Sequence, residues 1–306
     1  MTGDPGPKRG GGGGAAARDG LEPGLYLVAT PIGNARDITL RALDVLKACD
    51  AIAAEDTRVT QRLMEIHGIA RSGRPMIPYH DRNAGAARSR IEEWLREGLS
   101  VAYCTDAGTP LVADPGYRLV RLAAEGGHSV TALPGPSAAL AALSLSGLPT
   151  DRFMFAGFPP SKPAARRRFL TGLAGIEASL VLFESPHRVV ASLSDMAEVL
   201  GPEREAALAR ELTKRFETVR RMPLGVLAET LAVEGPPKGE IVVVIGPPGE
   251  EAEPDEKDLD SALRHALSEN SVKDAARLVS TALGVPRKEA YTRALALAAD
   301  KGFGEN

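Results

Sequence analysis

The sequence predicts an α/β protein of two α/β domains followed by a small helical module. Three observations predict it. Short apolar runs alternate with helix-periodic stretches through the first half; the second half mixes helices with closely spaced strand-like runs; beyond an acidic stretch only helical patterns remain. With 306 residues, 43% hydrophobic and 25% charged, the chain has room for two cores.

The elements follow in order. Leu25–Ala29 reads as a strand, and Leu40, Leu43 and Leu46 line one helix face. Ala51–Ala54 is a second strand, with Val59, Leu63 and Ile66 marking the next helix. Met76–His80 reads as a strand, and Ala87, Ile91, Trp94 and Leu95 follow at helical spacing. Leu99–Cys104, a helix over Tyr117–Glu125 and a strand over Ser129–Leu133 complete a βαβα series, which implies a mostly parallel sheet covered on both faces. After a helix through Ala138–Leu145, strands are expected at Arg152–Ala156, Leu180–Glu184, Ala206–Leu212, Thr218–Arg221 and Glu240–Ile245. The close pair at 206–212 and 218–221 suggests antiparallel neighbours, and Arg188–Leu200 carries the clearest apolar stripe. Helices over Leu259–Leu267, Val272–Leu283 and Arg287–Ala299 end the chain, the last two joined by LGVPR as in a helix-turn-helix or a plain helical hairpin. The expected division is a disordered tail at 1–22, domains at 23–135 and 136–247, an acidic linker at 248–258 and a helical module at 259–306.

Composition narrows the function. No apolar run approaches the roughly 18 residues that a bilayer crossing requires, and the Gly-rich start MTGDPGPKRGGGGGAAARDG lacks the apolar core of a secretory signal. Cys49 and Cys104 sit in apolar segments at no zinc-binding spacing, as buried thiols in a reducing cytoplasm do. A net charge of −3 argues against indiscriminate nucleic-acid binding and leaves room for a local basic patch.

Four loops after strands are richer than a connection requires: ATPIGNARD (Ala29–Asp37), EDTR (Glu55–Arg58), TDAGTPLVADPG (Thr105–Gly116) and PGPSA (Pro134–Ala138). Each taken singly is a turn that needs Gly and Pro for its dihedrals. Four at successive strand ends point to a site, because open α/β sheets bind ligands beyond the carboxyl ends of their strands. The first loop has the single glycine Gly33 and lacks G-x-G-x-x-G, which discounts a nicotinamide-dependent oxidoreductase, and no phosphate-binding G-x-x-x-x-G-K-[ST] occurs. TDAGTP offers small residues and backbone groups with little attraction for phosphate, which suits a zwitterionic, sulfonium-bearing ligand such as S-adenosylmethionine.

The blocks LYLVATPIGNARDIT, AAEDTR, CTDAGTPLVADPGY, LPGPSA, FESPHR and LARELTKRFE resemble the ribosomal branch of the tetrapyrrole methylase family, in order over about residues 24–247. The segment Ser271–Leu295 resembles that branch's C-terminal module. The resemblance implies a tetrapyrrole methylase-like fold with S-adenosylmethionine in the cleft between two α/β domains, working as a homodimer. It implies donor contacts from Pro31 and Gly33, from Asp106, Ala107, Gly108, Thr109, Pro110 and Leu111, and from Ser137 and Ala138. Strand ends add Phe183, Ala209, Arg210, Glu211 and Glu240. Porphyrinoid members carry Gly-Asp-Pro where this chain reads Gly108-Thr109-Pro110, which agrees with the ribosomal branch. The implied reaction is 2′-O-methylation of a cytidine ribose in small-subunit (16S) ribosomal RNA, with the assembled subunit as substrate.

A ribose hydroxyl needs alignment and a base. Candidates are Glu184 and His187 in FESPHR, and Glu211, Lys214 and Glu217 in RELTKRFE. Glu211 and Glu217 serve equally well as ion-pair partners of Arg210 or Arg215, and His187 as a helix-start residue. Phosphate-gripping candidates are Lys162, Arg166, Arg167 and Arg168 in SKPAARRR, with Arg58, Arg188 and Arg215. Phe158, Phe169 and Phe216 are candidates to stack on bases. Two rivals remain: a methyltransferase of a small porphyrinoid, which has no need of the arginine cluster, and a non-catalytic ribosome-binding factor.

Overall fold

Alternation at period two builds the first sheet. In β1 (Gly24–Val28), β2 (Ala51–Ala54) and β4 (Ser100–Cys104), Leu25, Leu27, Ala51, Ala53, Val101 and Tyr103 face one layer of helices, and Val28, Ile52, Ala102 and Cys104 the other. With β3 (Met76–Pro78) and β5 (Val130–Leu133), they form a five-stranded sheet in the order β3-β2-β4-β1-β5, parallel throughout. One face carries α1 (Leu40–Ala48) and α2 (Thr57–Ile66). The other carries α3 (Ala84–Arg96) and α4 (Tyr117–Glu125). In this computed structural model, residues 20–80, 84–112, 116–249 and 256–300 are described.

The second sheet is mixed, with the order β6-β7-β10-β8-β9. Its strands are β6 (Phe153–Gly157), β7 (Ser179–Glu184), β8 (Glu205–Arg210), β9 (Thr218–Pro223) and β10 (Ile241–Ile245). β10, IVVVI, is central and wholly buried, as a strand covered on both faces must be. The expected antiparallel pair is β8 against β9, in register from Glu205–Pro223 to Arg210–Thr218. One face packs on α6 (Pro163–Thr171), α7 (Val189–Leu200) and α8 (Leu224–Glu234). The other packs on α5 (Ala138–Ser146), an apolar helix whose core takes in Ile32 from the loop after β1. No element was expected at α8: its apolar residues are spread round the helix, so no stripe announces it.

Helices α9 (Glu256–Ala266), α10 (Val272–Leu283) and α11 (Arg287–Asp300) share a separate small core. Helix α9 begins inside the stretch read as the 248–258 linker, of which 250–255 lie outside the described residues. Residues 1–19 of the expected tail also lie outside them, and Leu21 packs against the first core. No helix among the described residues is long and apolar enough to cross a membrane.

The join between α6 and α7 corrects one expectation. Arg166, expected to grip phosphate, is 4% exposed, and its guanidinium meets the Asp195 carboxylate at 2.6 Å. Burial alone would raise the Asp195 carboxyl; hydrogen bonds from Arg167 and Arg166 outweigh it and hold the group below its usual value. The stabilisation is therefore present at neutral pH and lost as pH falls below the ordinary carboxylate range. Asp195→Ala, which strands Arg166 as a buried charge, is expected to cost about 3–5 kcal/mol in urea denaturation. Arg167→Ala, at the exposed side of the same carboxylate, is expected to cost much less.

Candidate functional site: two cavities divided by the loop after β4

Topology opens the site. From β1 and β2 the chain departs to the face carrying α1 and α2, whereas from β4, which lies between them, it departs to the opposite face. Such a reversal parts the loops and leaves a crevice at the carboxyl ends of the strands. The loop after β4 is tied at two points. Thr30 and Gly108 exchange backbone hydrogen bonds of 3.0 and 2.9 Å, and Thr109 Oγ1 donates to the Pro136 carbonyl at 3.0 Å. Gly108 has φ +87°, a value that a side chain resists, although an added Cβ would meet Ile32 only at ordinary contact distance, 3.4 Å.

On one side of this loop lies a cavity of about 380 Å³ between the two sheets. Ala107, Gly108, Thr109 and Val112 form one wall with Ser137 and Ala138. The second sheet supplies Phe183 and Glu184 at the end of β7 with Ser185 and Pro186 after it, Gly239 to Val242 leading into β10, and Phe158 after β6. Phe158 packs edge-on against Phe183 with centroids 5.5 Å apart, which makes an aromatic wall.

On the other side lies a second cavity of about 510 Å³, within the carboxyl ends of β1, β2 and β4. Its lining includes Thr30, Pro31, Gly33, Asp56, Arg58, Thr60, Leu63, Thr105 and Asp106. Asp56 caps α2, accepting the Arg58 N–H at 2.8 Å, and the Arg58 guanidinium holds its carboxyl down at about 2. Asp106 Oδ1 accepts the Asp56 N–H at 2.9 Å. Burial, then the charges of Glu55 and Asp56, raise the Asp106 carboxyl above its usual range.

The residues expected to touch the donor are thus distributed. Ala107, Gly108, Thr109, Ser137, Ala138, Phe183 and Glu240 line the first cavity, whereas Pro31, Gly33 and Asp106 line the second. Pro110, Leu111, Ala209, Arg210 and Glu211 line neither. Ala209 is buried in the core, and Arg210 Nε donates to the Lys238 carbonyl. Glu211 Oε1 accepts both the Glu240 N–H at 2.9 Å and Lys214 Nζ at 3.0 Å, so it holds the strand end that forms the wall. The ion-pair reading of Glu211 is right in kind, with Lys214 as the partner instead of Arg210.

None of the expected bases is free for proton transfer in the first cavity. Glu184 is buried and accepts from the Ser185 N–H, Ser192 Oγ and Arg188. Lys214 is shared between Glu211 and Glu240 at 3.0 Å each. Glu217 is exposed and accepts the Thr213 N–H at 2.6 Å, not a partner among the arginines. His187 is exposed and lines neither cavity.

The basic candidates also divide. Arg167 is shared by Asp195 and Glu198, and Arg188 turns inward to Glu184 and the Pro159 carbonyl. Lys162 and Arg168 are exposed on α6, Arg215 lies 5.5 Å over the Phe216 ring, and Arg58 reaches into solvent beside Asp56. Phe158 belongs to the first cavity, and Phe169 packs against the second sheet's core. Sequence reasoning missed Ile32, Val112 and Gly239 in the first cavity and Thr60 in the second. Ile32 and Val112 lie in two of the four loops singled out, though neither was named; outside those loops the signal was Gly239 itself, with φ +98°.

Comparisons with known proteins agree with this architecture. The family profile described as Tetrapyrrole (Corrin/Porphyrin) Methylases matches residues 24–228, and one described as RsmI C-terminal HTH domain matches residues 253–298. A protein of Mesorhizobium japonicum named ribosomal RNA small subunit methyltransferase I is 49% identical over 286 residues, covering 93% of this chain and 96% of its own. The protein of that name in Escherichia coli O157:H7 is 43% identical over 280 residues, covering 90% and 96%. Among solved structures, a cobalt precorrin-4 methyltransferase of cobalamin biosynthesis superposes with a TM-score of 0.55 at 18% identity, over 72% of this chain and 94% of its own, a likeness of fold.

The lobes meet at Gly33. A Cβ there would lie 2.5 Å from Lys214 Cγ, 2.8 Å from Thr213 Oγ1 and 3.0 Å from the Leu212 carbonyl. Gly33→Ala is expected to destabilise by about 1–3 kcal/mol through overpacking, and to speed amide exchange at Asn34, whose N–H donates to Thr213 Oγ1. Gly20→Ala, with nothing within 4 Å, is the control and is expected to change neither.

Proposed function

This chain belongs to the tetrapyrrole (corrin/porphyrin) methylase family, and from that premise we propose that it transfers a methyl group from S-adenosylmethionine to the ribose 2′-oxygen of a cytidine in small-subunit (16S) ribosomal RNA. The observation that carries this reading is the convergence of loops from both sheets on one cavity, in a chain 43–49% identical to proteins named for that RNA.

The residues of the first cavity fit the donor. Its volume lies within the roughly 300–1,000 Å³ of small-molecule sites. Ile32, Phe158, Phe183 and Ile241 offer apolar and aromatic surface for a purine. Ser137 and Thr109 bring hydroxyls, and Glu240 presents a carboxylate suited to an ammonium or ribose hydroxyls. The donor, when bound, supplies an electrophilic methyl on a sulfonium. Attack on it is an in-line displacement, so the task of the protein is to fix both partners at contact distance and keep water out.

For the RNA, Lys162, Arg168, Arg215 and Arg58 are the exposed cations of the expected set apart from Arg167, which Asp195 and Glu198 engage, and affinity carried by such contacts falls steeply with salt. The edge strand β6 exposes Phe153 and Met154, apolar surface that a second copy covers in the homodimer of this reading. The protein acts in the cytoplasm, where ribosomal subunits are its substrate.

Mapping ribose methylation on 16S RNA from cells with and without this chain is expected to show one cytidine that loses its methyl group. With labelled donor, purified small subunits are expected to accept label and a porphyrinoid is not. Label on the porphyrinoid alone would move the function to the small-molecule branch, and subunit binding without transfer would leave a non-catalytic factor.

A further inference from the structure

The two cavities adjoin along the loop after β4, and at their junction that loop carries a carboxylate that no expectation placed as a base. Ala107 lines the first cavity and Asp106, its neighbour in the chain, lines the second. We propose that the second cavity seats the acceptor nucleoside and that Asp106 takes the proton from its attacking hydroxyl, an inference that rests on the methyl-transfer reading above.

Geometry supports it first. Asp106 Oδ1 is held by the Asp56 N–H at 2.9 Å, while Oδ2 has no hydrogen-bond partner among the described residues. One oxygen is therefore fixed and the other is open. The backbone is fixed as well: the Asp106 N–H and Thr105 Oγ1 donate to Glu55 Oε2 at 3.1 and 3.2 Å. A base of this kind needs a set orientation more than strength.

The cavity itself suits a nucleoside. Val59, Leu63 and Ile66 give it an apolar side, and Arg58 and Arg62 stand at its charged side, where phosphates adjoin a ribose. Thr60 also lines it, and its buried Oγ1 is the one described buried side-chain polar atom without a hydrogen-bond partner. Such an orphan is rare in a finished core and fits a site completed by a ligand. The other carboxylates fail as bases here. Glu55 accepts the two hydrogen bonds from Thr105 and Asp106, and Asp56 is neutralised by Arg58.

Charge tunes the group. Desolvation, with the charges of Glu55 and Asp56, raises the Asp106 carboxyl against the opposing hydrogen bond from the Asp56 N–H and the charge of Arg58. Arg62, on the same helix as Arg58, is the other cation of the cavity. A base whose pKa lies above the usual carboxylate range holds its proton more strongly and assists transfer better. In the step, the hydroxyl oxygen forms a bond to the methyl carbon as the carbon–sulfur bond breaks. Its electron pair stays on sulfur, giving S-adenosylhomocysteine, and the hydroxyl proton passes to Asp106 Oδ2. The active form is the carboxylate, so the rate rises with pH through the raised pKa and levels above it.

The experiment measures transfer of labelled methyl to small ribosomal subunits against pH, alongside calorimetry of S-adenosylmethionine binding. Asp106→Asn can still accept the Asp56 N–H and cannot take a proton. It is expected to lower kcat by roughly 10²–10⁴-fold, to leave donor affinity unchanged and to abolish the acid limb in its residual activity. Asp106→Glu is expected to recover part of the rate together with the limb. Wild-type rate in Asp106→Asn, a wild-type profile without an acid limb, or loss of donor binding in step with rate would each overturn the proposal. An Asp106→Asn that fails to fold leaves the wild-type and Asp106→Glu pH profiles to decide it. If wild-type protein transfers no label to subunits, the functional reading fails, and this proposal with it; if only the Asp106 variants depart from expectation, the reading stands and the base assignment falls.

Discussion

The architecture depends on one close approach, the seating of the loop after β1 against the second lobe. Ile32 is buried in the core made by α5, β7, β8 and β10, and Gly33 lies against Leu212, Thr213 and Lys214 with no room for a side chain. The site needs both sheets at a fixed separation, and this contact sets it. The opposing loop is held in an unusual backbone: Glu211 and Thr213 have φ of 52° and 63°, a conformation most side chains avoid. Strain there persists because Lys214 and the Glu211 carboxylate tie the loop to Glu240.

From that fixed separation follows the division of labour along the loop after β4. The exchange of hydrogen bonds between Thr30 and Gly108 makes a rung where no sheet continues, joining Thr30 of the second cavity to Gly108 of the first. Thr105 and Asp106 line the cavity at the strand ends of the first sheet; Ala107, Gly108 and Thr109 line the one shared with the second sheet. The change of side falls between two consecutive residues of a loop of small side chains. Leu111, at φ 74°, lies against Gly116, where an added Cβ would collide with its Cδ2.

Charge in this protein is largely spent internally. Arg166, Arg188 and Lys214 sit in stretches that read as cationic, and each meets a carboxylate of its own lobe. Buried pairs of this kind are worth little relative to apolar packing but are costly to break, so they specify arrangement. Of the expected cations, Lys162, Arg168, Arg215 and Arg58 meet no carboxylate of the second lobe among the described residues, and Arg58 lines the second cavity.

The sequence by itself determined most of the fold. Periodicity placed the βαβα series, the antiparallel β8–β9 pair and the three terminal helices, because burial on one face or two leaves its mark in local order. It missed α8, whose apolar residues circle the helix, and ran strands on to His80 and Leu212, whereas β3 ends at Pro78 and β8 at Arg210, because the buried Tyr79 and Leu212 carry the apolar run past the strand. The four loops were legible as a site from their Gly, Pro and Asp content. Only tertiary structure decided that they form two cavities, that Asp106 faces one while Ala107 faces the other, and that Glu184 and Arg166 are consumed as partners. The physical reason is range: hydrophobic period and turn chemistry act within a few residues, whereas the partner of a charge and the wall of a cavity are set by residues up to 179 positions away, as Asn34 and Thr213 are.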